Sequence, residues 1–236
     1  MTKAYYEFNE ELRIKYLELD MKHLKELEFE GEDSKNFLIT VARKKNTFQK
    51  TEFFDFKIAS EMDFITADMK YITGMLFFLR PGIDKPHPGW FNQSIEDRRY
   101  LMHTTFGLQS IYNFWDRLGD LLWFFFPSSL LERDVYFDRI INCIEKPYNT
   151  TEYFVSLLEI YQNEVKPILQ VRREAVHYFQ PECKHYWGYL QDSSEEGIEA
   201  RYQEKFGYAD MMLNQLNIAG IAFGLTVKLI NELPDK

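Results

Sequence analysis

Eleven glycines and eight prolines are the only such residues among 236, and they cluster at a few places. This pattern constrains the fold more than any other feature. The clearest breaks are Arg80 to Gly89, Pro127-Ser128-Ser129, Lys146 to Thr150, and a stretch from Gln180 to Gly197. Between them apolar residues recur at three- and four-residue steps, with almost no strand alternation. Such a chain folds as long helices packed on one another.

Each long segment can be placed by its own chemistry. From Glu52 to Leu79, Phe54, Ile58, Met62, Ile65, Met69, Ile72 and Leu76 share one helical face. Ser94 is a suitable N-cap for the next helix. Glu96 and Asp97 then fall in the first turn, where acids favour the helix dipole, and the helix runs to about Phe125. A short helix is expected near Glu132 to Cys143. Thr150 or Thr151 caps another running towards Tyr178, which Pro167 must kink or interrupt because it lacks an amide donor. A final helix is predicted over roughly Glu196 to Leu233. Residues 1–50 are also helix-compatible, and their ten acids and ten bases read as a solvated face. The expectation is an all-α, up-down bundle of four long helices with short extra helices. Residues 1–50 form a helical extension and 51–236 the bundle, as one domain.

Composition narrows the function classes. Hydrophobic residues make up 45% and charged residues 28%, which is globular composition. The formal net charge of -9 argues against non-specific coating of nucleic acid, while leaving room for a local basic site. Cys143 and Cys183 are too few for a disulfide framework or a complete zinc site, and they fit a reducing compartment. The N-terminal residues meet charge at once, with no apolar signal core. The apolar stretch from Leu216 to Ile230 is short of the ~20 residues a bilayer needs. These features predict a soluble, cytoplasmic protein with no membrane partner.

The segment Gln170-Val171-Arg172-Arg173-Glu174-Ala175-Val176-His177-Tyr178-Phe179 is the most chemistry-like. Histidine exchanges a proton near neutral pH and arginine grips phosphate through paired hydrogen bonds. Together they suffice for phosphodiester chemistry without a metal. Arg173 and His177 share a helix face, whereas Arg172 lies about 140° from His177 on a straight helix. Spacing taken by itself favours a solvated Arg-Arg-Glu face beside a hydrogen-bonded histidine.

The same segment resembles the signature of the HEPN superfamily (Higher Eukaryotes and Prokaryotes Nucleotide-binding helical bundles). That signature is an arginine, four to six residues, then a histidine, usually with a polar residue after the arginine. Arg172, Arg173 and His177 match it, and the wording Val-Arg-Arg-Glu-Ala-Val-His-Tyr resembles the Cthe-type branch. The resemblance implies a four-helix bundle that dimerises, bringing two motifs into one cleft. Many members are metal-independent endoribonucleases of toxin–antitoxin and phage-defence systems, while others serve in binding or assembly. By this likeness Arg172 holds the scissile phosphate and His177 moves the proton of the 2′-hydroxyl or of the leaving oxygen. The implied product is a 2′,3′-cyclic phosphate, with no cofactor and no metal. This chain has Arg173 where the family commonly has asparagine, histidine or aspartate.

A polar stripe crosses the aromatic helix. Gln109, Asn113, Asp116 and Asp120 step by four, three and four, so they lie on one helical face. The stripe faces either solvent or a buried polar cleft. In the second case Asp116 or Asp120 meets Arg172, Arg173 or His177, fixing a rotamer or a tautomer. The segment Asp116-Arg117-Leu118-Gly119-Asp120 also resembles the acid-bearing helix of the same HEPN branch, which favours Asp116 as support.

Other signals carry less. Cys183-Lys184-His185 lacks a second ligand pair. His87 reads as a loop residue, His103 as structural or surface, and His23 as solvated. Gly220 and Gly224 have the spacing of closely packed helices, read first as core packing and second as a dimer face. Three functions compete: a dimeric HEPN-like ribonuclease, a silent HEPN-like bundle that binds a nucleotide or a protein such as an antitoxin, and an unrelated helical interaction protein.

Overall fold

The computed structural model describes residues 3–19, 27–29, 32–33, 54–87, 93–178 and 180–235. His23 and the expected charge face of residues 34–50 lie outside the described residues. The fold is an all-α helical bundle, as the periodicity predicts. Helix α1 is Lys3–Glu18, α2 Phe54–Leu79, α3 Ile95–Phe125 and α4 Phe137–Ile141. After these come α5 Glu152–Ile160, α6 Lys166–His177, α7 Pro181–Gln191, α8 Glu195–Phe206 and α9 Tyr208–Asn231. Extended structure among the described residues is one two-residue antiparallel pairing, Glu28–Phe29 with Glu32–Asp33.

Caps form where the side chains dictate. Ser94 Oγ accepts from the Asp97 amide at 3.0 Å, and Thr151 Oγ1 accepts from the Phe154 amide at 3.2 Å. Before Pro167 the chain widens into a π-helical segment, Tyr161–Val165, so the expected interruption is an extra-wide turn. A proline removes its own donor and crowds the carbonyl four residues back, and the wider turn relieves both. Gln215 Nε2 donates to the Glu164 carbonyl within it at 3.0 Å.

Two expectations are corrected. The stretch from Gln180 to Gly197 contains helix α7, because Pro181 occupies the first helical turn, where its missing amide costs nothing. The expected single helix over Glu196 to Leu233 is α8 and α9, broken at Gly207. Tyr100 enters that break: its hydroxyl accepts from the Ala209 amide at 3.0 Å and donates to the Phe206 carbonyl at 3.3 Å. A side chain inserted into the hydrogen-bond ladder is a recognised cause of a kink.

The chain forms two compact units. The first comprises Met1–Leu24, Asp68–Gln109 and Leu169–Asn214, and the second Lys25–Ala67, Ser110–Ile168 and Gln215–Lys236. Helix α1 belongs to the first unit. There Tyr16 packs directly on Gly74, and Phe8 meets Phe78 edge-to-face at 5.4 Å. Gly107 lies where a Cβ would strike Met212 Sδ at 2.7 Å, so α3 and α9 approach closely. In the second unit Trp115, Phe137 and Tyr161 form a ring cluster with centroids 4.7 to 5.5 Å apart. Gly119 admits the Phe137 backbone, whose nitrogen lies 2.8 Å from where a Cβ would sit.

One span, Glu195–Asn231, is long and apolar enough to cross a membrane by length and composition, and 56% of its apolar window is buried inside the protein. Gly220, read as core packing, is exposed with open space above it.

Candidate functional site

Helix α6 carries the Arg-Arg-Glu-Ala-Val-His segment at its C-terminal end, inside the first compact unit. None of its side chains is buried. Leu169, Val171, Arg172 and Ala175 are half-buried, whereas Val176 and Tyr178 are 55% and 74% exposed. This amphipathic helix is covered on one side and open on the other.

Arg172 is tied to the bundle by Gln109. Its Nε and Nη2 both donate to Gln109 Oε1, at 3.2 and 2.9 Å. The two donors share one amide oxygen, which orients the guanidinium towards α3. Arg173 is exposed and lies four residues before His177. Glu174 accepts from Gln170 Nε2 at 3.1 Å, so its carboxylate is engaged along its own helix. His177, the last residue of α6, is exposed and makes no hydrogen bond or ion pair among the described residues. Five residues separate it from Arg172, about 140° around a straight helix. Within one chain, Arg172 faces α3 while His177 stands in the open.

The stripe divides between the units. Gln109 belongs to the first unit and takes Arg172; Asn113, Asp116 and Asp120 belong to the second. All four residues are half-buried, between the two environments expected for them. Asp120 pairs with Arg117 at 2.8 Å, and Arg117 also reaches Glu61 at 3.6 Å. Burial pushes the Asp120 carboxyl up to about 6 despite the pull of Arg117, with Asp116 and Glu61 adding repulsion.

Sequence reasoning missed a polar interior in the first unit. Lys205 donates to Asp97 Oδ1 at 2.5 Å and to the Asp84 carbonyl at 2.9 Å, with the two side chains 8% and 3% exposed. His185 is buried, its Nε2 3.1 Å from the Tyr208 hydroxyl. That hydroxyl donates to Glu204 Oε1 at 3.3 Å, and Lys184 holds the same carboxylate oxygen at 2.6 Å. Burial holds His185 below the ordinary histidine range and pushes the Tyr208 phenol up. The Cys183-Lys184-His185 corner thus turns His185 inward to Tyr208 and leaves Cys183 exposed. His185 lies three residues after Glu182 on a proline-started helix, so spacing does not separate it from the charged residues and only packing buries it. His103 is half-buried between Tyr71 and Phe106, and burial lowers its pKa. His87 is exposed in its loop.

No family model matches this sequence, and no curated protein or solved structure matches it either.

Proposed function

We propose that this chain is a HEPN-like, metal-independent endoribonuclease that acts as a homodimer in the cytoplasm, in a toxin–antitoxin or phage-defence setting. The observation that carries the reading is the pairing of Gln109 with Arg172 on the helix that ends in an exposed His177. Arg172 is oriented by Gln109, and His177 is exposed with no hydrogen bond or ion pair among the described residues. The half-open face of α6 is where a second copy of the chain docks, so that two motifs share one cleft.

In this reading Arg172 holds the scissile phosphate and stabilises the charge that builds on it. The ribose 2′-oxygen attacks phosphorus, the bond to the 5′-oxygen breaks, and a 2′,3′-cyclic phosphate remains. His177 takes the proton of the 2′-hydroxyl or supplies one to the leaving oxygen. Arg173 adds positive charge next to the phosphate. Asn113, Asp116 and Asp120 are the supporting polar residues of the same proposal.

The test is RNA cleavage in the presence of EDTA, with cyclic-phosphate ends, lost on His177→Ala and slowed on Gln109→Ala as Arg172 loses its orientation. Cleavage that survives His177→Ala sinks the assignment. A second reading draws on the isolation of His177 and on Arg173 at the family's polar position. It is a silent HEPN-like bundle that binds a nucleotide or a partner protein such as an antitoxin. That reading expects no cleavage, with ligand binding weakened by Arg172→Ala.

A further inference from the structure

The α3 face that ends at the Gln109–Arg172 contact carries a second feature on its N-terminal half. Ile95, Arg99, Met102, Phe106 and Gln109 follow at steps of four, three, four and three, which places them on one helical face. A groove of about 530 Å³ opens along this face, lined by Arg98, Arg99, Met102 and Phe106, with Gln180 and Glu182 from the α6–α7 junction. Its floor is apolar and open: Ile95, Met102 and Phe106 are 56%, 46% and 52% exposed. Arg98 pairs with Glu182 at 3.5 Å, while Arg99 is exposed and makes no ion pair or hydrogen bond among the described residues. His103 meets the Phe106 ring edge-to-face and fixes its attitude.

We propose that this groove binds a short run of single-stranded RNA, with one base stacked on Phe106 and a phosphate held by Arg99, leading the strand along α3 towards Arg172. The proposal rests on the nuclease reading for the identity of its ligand and adds where the strand lies. Ten residues of helix from Arg99 to Gln109 rise about 15 Å, a length that accommodates several backbone units of a strand. Two guanidinium groups face one carboxylate in the groove, so an anion complements it. A phosphate satisfies an arginine fork that a covering protein surface would have to desolvate and pair. Aromatic stacking accepts any base, which suits an exposed ring flanked by Met102. The net charge of -9 repels a strand elsewhere and confines it to this basic, aromatic strip.

The experiment uses the full chain carrying His177→Ala, to prevent cleavage. Binding of a fluorescein-labelled eight-nucleotide single-stranded RNA is followed by anisotropy in EDTA at several salt concentrations. Phe106→Ala is expected to weaken binding by about 5- to 150-fold, and Phe106→Trp to restore it. Arg99→Ala is expected to weaken binding and to lower the salt slope by about 0.7, the loss of one phosphate contact on a single strand. Both side chains are exposed, and unchanged thermal melts confirm that the variants fold. Affinity and salt slope left unaltered by both substitutions overturn the proposal, as does a parent chain that binds no RNA. It is also overturned if Phe106→Ala dissociates a dimer while RNA affinity stays the same, which would make a second copy the occupant. Binding that depends on Arg99 and Phe106 in a wild-type chain that never cleaves RNA upholds the groove and removes the nuclease reading. Cleavage by the wild-type chain, with RNA affinity indifferent to both residues, does the reverse.

Discussion

The first compact unit keeps charged and hydroxyl groups inside. Lys205 is buried on Asp97, His185 on Tyr208, and the Tyr100 hydroxyl between Phe206 and Ala209. The second unit keeps aromatic rings inside, with Trp115 edge-on to Phe137, Tyr161 tilted against both, and Gly119 against a backbone. Helices α2, α3 and α9 each supply residues to both units, so the contrast comes from which side chains each stretch carries. A polar interior holds its groups to particular positions, because every buried donor needs its acceptor. A ring cluster tolerates small shifts but little change in volume. The unit that carries Arg172 and His177 is the one that buries the Lys205–Asp97 ion pair.

The largest effect expected is in that polar interior. Lys205→Met leaves the Asp97 carboxylate buried without its cation and is expected to cost about 3–5 kcal/mol. Combining it with Asp97→Leu is expected to recover most of that loss, read by denaturant unfolding. A single and a double variant of equal stability would show that the pair does not organise the unit.

Acidification should move the two units in opposite directions. The folded-state pKa of His185 lies below its unfolded value, so the unfolded chain takes the proton first and stability falls as pH drops below about 6.5. Asp120 is raised from 3.8 to about 6, so the native state takes the proton first. Stability from that group rises as pH falls from about 6 towards 4, by up to about 3 kcal/mol. Thermal melts from pH 7 to pH 4 should therefore lose less stability in His185→Gln and more in Asp120→Asn. Identical pH profiles in both variants and the parent would erase the distinction.

Volume matters most in the aromatic unit. Gly119→Ala forces a methyl into the Phe137 backbone and is expected to cost about 1–3 kcal/mol. A melt unchanged by the extra methyl would mean that the two backbones do not meet closely. The smallest effect is a gain: Gly220→Ala has open space and is expected to stabilise α9 by up to about 1 kcal/mol. If the same change splits a dimer measured by sedimentation, the glycine serves an interface and not the helix.

Much of the fold was legible in the sequence because its information is local. The three- and four-residue spacing from Ile58 to Leu76 marks a helix without reference to any other segment. Ser94 and Thr151 cap because each hydroxyl reaches an amide three residues on. Pro167 announces an interruption by its missing donor. Helix α7 was hidden because proline, glycine and two serines between Gln180 and Gly197 look like loop composition. There Pro181 starts a helix, and Gly188 lies against the Arg201 side chain.

The candidate site was legible in part. Arg172, Arg173 and His177 could be singled out by residue type, and Gln109 could be placed on a polar stripe. No pattern within either segment shows that Gln109 takes Arg172, because that pairing joins residues 63 positions apart. The Arg98–Arg99 groove escaped notice for the same reason, since its wall at Gln180 and Glu182 comes from a distant stretch.

Sequence by itself determined the helical class, the cap at Ser94 and the lack of cysteines for a disulfide framework, since each follows from neighbours along the chain and a count of residue types. Tertiary structure decided the break at Gly207, the burial of His185 and Lys205, and the partner of Arg172. Each depends on a side chain brought from a remote helix. Tyr100, Tyr208, Asp97 and Gln109 act by being within hydrogen-bond reach, a condition set by packing and invisible to local spacing.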